Sequence, residues 1–223
     1  MKINKLLIAA AILACSTSVI ADNEKIDYSL SIKSWNNVLN TSNSSGSGIT
    51  TPSQNAPIIA IVARKGDYFV AANALLKSTY TYSTSYMSRT DYDIAFGYRA
   101  TENISILGGY KTLIVVDGSQ TNWKETNTGF FIGASGFSSI ADQTFAYGNI
   151  QYVPNMKHKT TANEYYRNQK FTSTEFGLGY IVNKSTQLTG GYRYQIFDSY
   201  NITRSRSEKA SLSGIIFGMN VNF

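Results

Sequence analysis

Along much of this chain, apolar and polar residues alternate with a period of two, as strands with two unlike faces require. Ile26, Tyr28, Leu30 and Ile32 interleave with Asp27, Ser29, Ser31 and Lys33. Tyr92, Ile94, Phe96 and Tyr98 interleave with Asp91, Asp93, Ala95, Gly97 and Arg99. The same pattern runs through Thr174, Phe176, Leu178 and Tyr180, and through Leu188, Tyr192, Tyr194 and Ile196. One face is apolar and aromatic; the other is small, polar or charged. The pattern predicts ten strands, near 25–35, 57–64, 68–82, 88–99, 104–115, 128–137, 144–153, 171–181, 187–197 and 210–223. Residues 57–64 are apolar on both faces and 145–153 mix the two, so eight or twelve strands are the alternatives.

The connections alternate in length. Those at 65–67, 100–103, 138–143 and 182–186 are short. Those at 36–56, 82–88, 116–127, 154–170 and 198–209 are longer and rich in Asn, Ser, Thr and Lys. The stretch from Asn36 to Gly48 reads as a mobile, solvent-exposed loop. Short turns at one end and long loops at the other are the layout of an up-and-down barrel in an outer membrane, with periplasmic turns and extracellular loops. An even strand count then leaves both termini on the short-turn, periplasmic side.

A soluble sandwich also alternates, but it turns its apolar face inward. Here the polar face is dense in Gly, Ser and Thr, which suits a narrow lumen. Aromatics flank the apolar face near the short turns (Tyr68, Tyr98, Tyr180) and near the long loops (Tyr80, Tyr82, Tyr92, Tyr194), as interfacial girdles do. That parity points Lys33, Asp93, Arg99, Lys111, Glu175 and Arg193 into the lumen as a mixed-sign network. The opposite parity would place charge in hydrocarbon, at about 2–4 kcal/mol for each Arg or Lys near the midplane. Two similar hairpins, Phe96-Gly97-Tyr98-Arg99 with Gly108-Gly109-Tyr110-Lys111 and Gly179-Tyr180 with Gly190-Gly191-Tyr192-Arg193, suggest duplication or shared barrel geometry.

The N-terminus has the three-part layout of a secretory signal peptide: Lys2 and Lys5, an apolar run from Leu6 to Cys15, and small residues leading to a cut after Ala21. The organisation is therefore a signal peptide at 1–21 and a barrel domain at 22–223, exported by the Sec route. Ten apolar residues are too few for a membrane-spanning helix. Ile12-Leu13-Ala14-Cys15 also resembles a bacterial lipoprotein box, with an atypical Leu at its centre, and offers a competing cut. Cleavage after Ala21 removes two Lys and no acid, lowering the formal charge from +6 to +4, and removes the only Cys. Thiol chemistry is then excluded from the mature chain. At 15% charged and 13% aromatic residues, the 223-residue chain is neither disordered nor an ordinary soluble domain.

The last strand carries a further signal. Ile215, Phe217, Met219, Val221 and Phe223 share one face, with Gly218 five residues before the end. Gly218, Val221 and Phe223 resemble the C-terminal assembly signal of bacterial outer-membrane β-barrels. Ile216 departs from it, standing where the family usually has a polar residue. The resemblance implies delivery by periplasmic chaperones and insertion by the barrel assembly machinery. The mature chain resembles the small outer-membrane barrels, a group that includes opacity-type adhesins and omptin proteases, in pattern rather than in a diagnostic motif.

Candidate chemistry is sparse. The single His, His158, lies among Met156-Lys157-His158-Lys159, with Asp117, Glu125, Glu164 and Asp198 among the acids at the same end. No spacing among them resembles the omptin acid pairs or the His-x-Ser arrangement of lipid A deacylase barrels. The reading calls for no catalytic residue, metal or cofactor. Lys157, Lys159, Arg167, Lys170, Arg204 and Arg206, with Lys209 nearby, are candidates for contact with lipopolysaccharide phosphates. A pI near 9.2 does not make nucleic acid a sensible partner for a secreted chain. We expect a monomeric, non-enzymatic outer-membrane barrel with a structural or adhesive role and an unidentified extracellular ligand. A narrow solute or ion channel is the first alternative, and an outer-membrane hydrolase the second.

Overall fold

The computed structural model describes residues 25–82, 85–118, 123–161 and 166–223. The signal peptide and the Ala21 cleavage site lie outside the described residues. All regular structure among them is strand: β1 (Asp27–Asn43), β2 (Gly48–Thr50), β3 (Gln54–Lys65), β4 (Tyr68–Tyr82), β5 (Ser85–Arg99), β6 (Ile104–Asp117), β7 (Lys124–Ala141), β8 (Thr144–Val153), β9 (Lys157–Thr160), β10 (Tyr166–Ile181), β11 (Thr186–Asn201) and β12 (Arg206–Asn222). Ten long strands pair with their neighbours, all antiparallel, and β12 returns to β1 to close a ten-stranded up-and-down barrel. The short β2 and β9 pair with β1 and β7 at the loop end. Closure leaves no free edge along the wall, which a spanning sheet requires because lipid offers no hydrogen bonds.

The alternation sets the two faces as expected. Phe130 is 75% exposed and Ile132 67%, and Phe96, Ile106, Phe176, Leu178 and Phe217 also face outward. Tyr98, Tyr180 and Phe223 sit in this outer face near the turn end, and Tyr92 and Tyr152 near its other margin. A belt of this size turned outward is stable only in an apolar solvent. The ambiguous 57–64 segment resolves into Ile58, inside, and Ile59 and Ile61, outside.

Three sequence expectations need correction. Most of the long loops are strand. Residues Asn36–Asn43 continue β1 and pair with β12 as far as Asn43↔Glu208, so the mobile first loop shrinks to the segment around β2. Likewise β11 and β12 run on to Asn201 and from Arg206, leaving a four-residue turn where residues 198–209 read as loop. Asn, Ser and Thr there reflect a wet outer face on strands that overshoot the apolar belt, not missing structure.

Tyr80 and Tyr82 do not belong to the outer girdle. The register slips by one residue between Leu75 and Ser78, opposite Asp91 and Arg89. Such a bulge reverses which face each later residue takes. Tyr80 is consequently 0% exposed and donates a 2.8 Å hydrogen bond to Asn37 Oδ1 inside the barrel.

The lumen is also less polar than expected. Trp35, Leu39, Ile58, Leu75, Tyr80, Leu212 and Ile216 form one buried apolar cluster, and Leu113, Phe131, Val153, Met156 and Phe171 another. Ile216, the departure from the terminal signal, is apolar because it packs in the cluster that holds Trp35.

Candidate functional site

Between the two apolar clusters lies a layer of paired charge. Lys33 Nζ donates to Glu175 Oε1 at 2.6 Å, and Arg193 Nε approaches Glu175 Oε2 at 3.9 Å. Lys111 Nζ donates to Asp93 Oδ2 at 2.9 Å, and Asn73 Nδ2 to the same oxygen at 3.3 Å. Glu175↔Arg193 and Asp93↔Lys111 are direct cross-strand partners, so hairpin register alone brings them together. Of the six lumen residues read from the sequence, Lys33, Glu175 and Arg193 come together in one group, and Asp93 and Lys111 in another. Arg99 instead stands at the turn-end mouth, 3.7 Å from the exposed Asp67 and donating to Gly66 O at 3.2 Å.

The alternation also places Arg89 and Asp91 inside, and the sequence reading passed over both as site residues. Arg89 Nε donates to Asp91 Oδ1 at 2.7 Å and Nη2 to Gln195 Oε1 at 2.8 Å, with a second Arg89–Asp91 contact. Aromatic rings complete the layer. Lys111 Nζ lies 5.0 Å from the centre of the Phe171 ring, and the Arg193 guanidinium 5.3 Å from that of Trp35. Lys111, Phe131, Phe171, Gln195 and Glu175 are all 3% exposed or less. A water-filled bore would leave them wet; the middle of this barrel is filled by side chains, as its strand number permits.

Toward the loop end the filling stops. A cavity of about 380 Å³ opens there, inside the size range of ligand pockets. Its apolar walls include Leu39, Met87, Leu113, Val115, Phe197 and Leu212, with Trp123 at the side. Arg89 sits at its floor, and Arg204, Arg206, Glu208 and Lys209 at its rim. Arg206 Nε donates to Glu208 Oε1 at 2.9 Å.

A second polar cluster stands beside the cavity. β9 is strand, not exposed loop, and carries His158 against β7 and β10. His158 Nδ1 lies 3.3 Å from Glu125 Oε1, 3.0 Å from Asn127 Oδ1 and 3.3 Å from Gln169 Nε2. Asn127 Nδ2 donates to Glu125 Oε1 at 2.6 Å, and Tyr166 packs edge-on at 4.7 Å. The sequence spacing of His158 and Glu125 did not reveal this pair, because they meet only through the β7–β9 register. His158 Nε2 is buried with no hydrogen-bond partner among the described residues.

The candidate lipopolysaccharide contacts separate into two groups. Lys157, Lys159 and Lys170 are exposed above the apolar belt, joined by Lys124. Arg206 turns into the cavity rim, as does Arg204, which also borders the tip of the β11–β12 turn. The side chain of Arg167 lies outside the described ones.

Closed antiparallel wall, filled lumen and apolar outside together define the class: an outer-membrane β-barrel. No protein-family model matches the sequence, and no curated protein matches it significantly. A solved structure shares the fold. The outer membrane protease OmpT from Escherichia coli superposes over 93% of this chain and 100% of its own, with a TM-score of 0.56 and 10% identity. Neisserial surface protein A follows at a TM-score of 0.42 and 15% identity, covering 90% of this chain and 100% of its own. The Pseudomonas putida toluene transporter TodX gives a TM-score of 0.39 and 10% identity, covering 96% of this chain and 92% of its own.

Proposed function

We propose that this chain is a monomeric outer-membrane barrel that binds at its loop end and neither conducts nor cleaves. The observation that carries this reading is the filled mid-lumen, where Lys111, Glu175, Arg193, Trp35 and Phe171 are buried against one another. Solute passage would require separating these charge pairs in a low-dielectric interior, and an uncompensated buried charge is costly. The loop-end cavity is therefore blind.

A protease, the activity printed for OmpT, needs a base that reaches its substrate. The one His here hides its second ring nitrogen, and Glu125 and Asn127 hold the first. The outward lysines 124, 157, 159 and 170 stand where lipopolysaccharide phosphates would meet the wall. Periplasmic chaperones and the assembly machinery would read the β12 face that ends in Gly218, Val221 and Phe223. In this orientation the termini are periplasmic.

The test is single-channel recording of the refolded 22–223 chain in a planar bilayer. Protein that shows the heat-dependent gel shift of a folded barrel should give a silent bilayer. Discrete, reproducible steps would replace this reading with a channel and direct attention to Lys111, Glu175 and Arg193.

A further inference from the structure

The loop-end cavity has a chemical character that no comparison assigns. Its walls are aliphatic and aromatic over most of their area, and seven barrel strands line it: β1, β5, β6, β7, β10, β11 and β12. Strand side chains in a closed barrel do not collapse readily, so the space is held open by the scaffold rather than by a loop conformation. The polar groups are confined to two levels. Arg89 is at the bottom, already satisfied by Asp91 and Gln195. At the rim are Arg204, Arg206 and Lys209, against Glu208 and, on the opposite wall, Glu125.

Among the described lining residues, cations outnumber carboxylates by four to two. Ligand sites are built this way: apolar walls supply the affinity, and a few charged groups orient the occupant and select its sign. A neutral hydrocarbon would leave the guanidinium groups facing apolar surface. A cation would meet a net positive mouth.

We propose that this cavity binds a small amphiphilic anion, with its apolar body among Leu39, Leu113, Val115 and Phe197 and its carboxylate or similar head at Arg206. Arg206 is the expected head-group partner because its fork can hold a planar anion in bidentate fashion, at the cost of its present contact with Glu208. The assignment deepens the binding role proposed above and rests on the loop end being where this barrel binds.

The test uses the refolded 22–223 chain in phosphatidylcholine nanodiscs, titrated calorimetrically with 4-phenylbutyrate, 4-phenylbutanol and 4-phenylbutylammonium; empty nanodiscs correct for lipid partitioning. The anion should saturate one site about tenfold more tightly than the alcohol, and the ammonium should not saturate. Ala210→Trp, which fills the cavity, should abolish saturation; if that chain does not refold, Val115→Phe serves the same purpose. Arg206→Gln should bring the anion down to the affinity of the alcohol.

Equal binding of anion and alcohol, or binding untouched by both filling variants, would overturn the proposal. Planar-bilayer recording of the same preparation separates the two ideas. A silent bilayer with no binding removes the ligand class alone. Conductance with anion-selective binding removes the blind cavity and keeps the ligand.

Discussion

A glycine in a strand usually weakens it, yet Gly97 and Gly179 occupy equivalent places in this wall for a steric reason. Each faces inward near the turn end. A Cβ built on Gly97 would lie 2.0 Å from the Phe69 ring, and one on Gly179 would lie 2.0 Å from the Phe145 ring. In each case the far end of an aromatic ring from the neighbouring strand fills the space over the glycine. This explains the likeness of the two Gly-Tyr hairpins: both carry the same packing device. Gly97→Val should destabilise the refolded barrel by about 2 kcal/mol, the usual scale of overpacking. In a Phe69→Ala background most of that loss should vanish. Urea unfolding of the four chains in a double-mutant cycle measures the coupling, and additive effects would show that the ring is not what excludes the side chain.

At the scale of the strand, one extra residue decides what half of β4 does. Up to Leu75 the odd-numbered residues face inward; from Ser78 the even-numbered ones do. Deleting Lys77 should remove the extra residue and restore plain alternation with Tyr80 still inside and bonded to Asn37, whereas Tyr80→Ala should remove both ring and bond. Loss of a buried aromatic costs about 3–5 kcal/mol, so Tyr80→Ala should lower the unfolding midpoint sharply and redden the emission of Trp35, its neighbour in the cluster, while the deletion should spare both. A red shift on the deletion as well would mean that Tyr80 needs the bulge itself, and not parity alone, to reach the cluster.

The same bulge marks the limit of what was legible. Where alternation is unbroken, as along 91–99, the two faces are legible: Ile94, Phe96 and Tyr98 are exposed on one, and Asp91 and Ala95 are buried on the other. Past a bulge, period-two reasoning inverts without warning, because nothing in Leu-Leu-Lys-Ser announces an irregular pair. The loop-end strands were missed for a different reason: both their faces are polar there, so periodicity has no contrast to detect. The Glu125–His158 contact depends on pairing between strands distant in sequence, which spacing does not encode.

For the molecule as a whole, the distribution of lysines offers a test of the proposed orientation. Lys124, Lys157, Lys159 and Lys170 are at the loop end, while Lys65 and Lys184 are at the turn end. A membrane-impermeant amine reagent applied to intact cells should modify the first set and spare the second; peptide mass mapping after lysis tells them apart. Modification of Lys65 and Lys184 in intact cells would invert the proposed topology. Salt should weaken any association of the loop-end lysines with lipopolysaccharide, since exposed charge is screened within about 8–10 Å at physiological ionic strength.

The wall is sealed where the chain's two ends meet. Ser29 pairs with Asn222, Lys33 with Gly218 and Asn43 with Glu208, the longest sequence separations available to these residues. Phe223 N donates to Tyr28 O at 2.9 Å. Every other strand pair on the way round joins neighbours in the chain or nearly so, but this seam has no local substitute. A sheet assembled only as far as β11 is still open, with two raw margins, each able to recruit a foreign strand. Completion of the last seventeen-residue strand, β12, therefore converts a sticky ribbon into a ring in one step. Until then the polypeptide depends on whatever keeps those margins apart, and premature termination anywhere before β12 yields not a smaller barrel but an aggregation hazard.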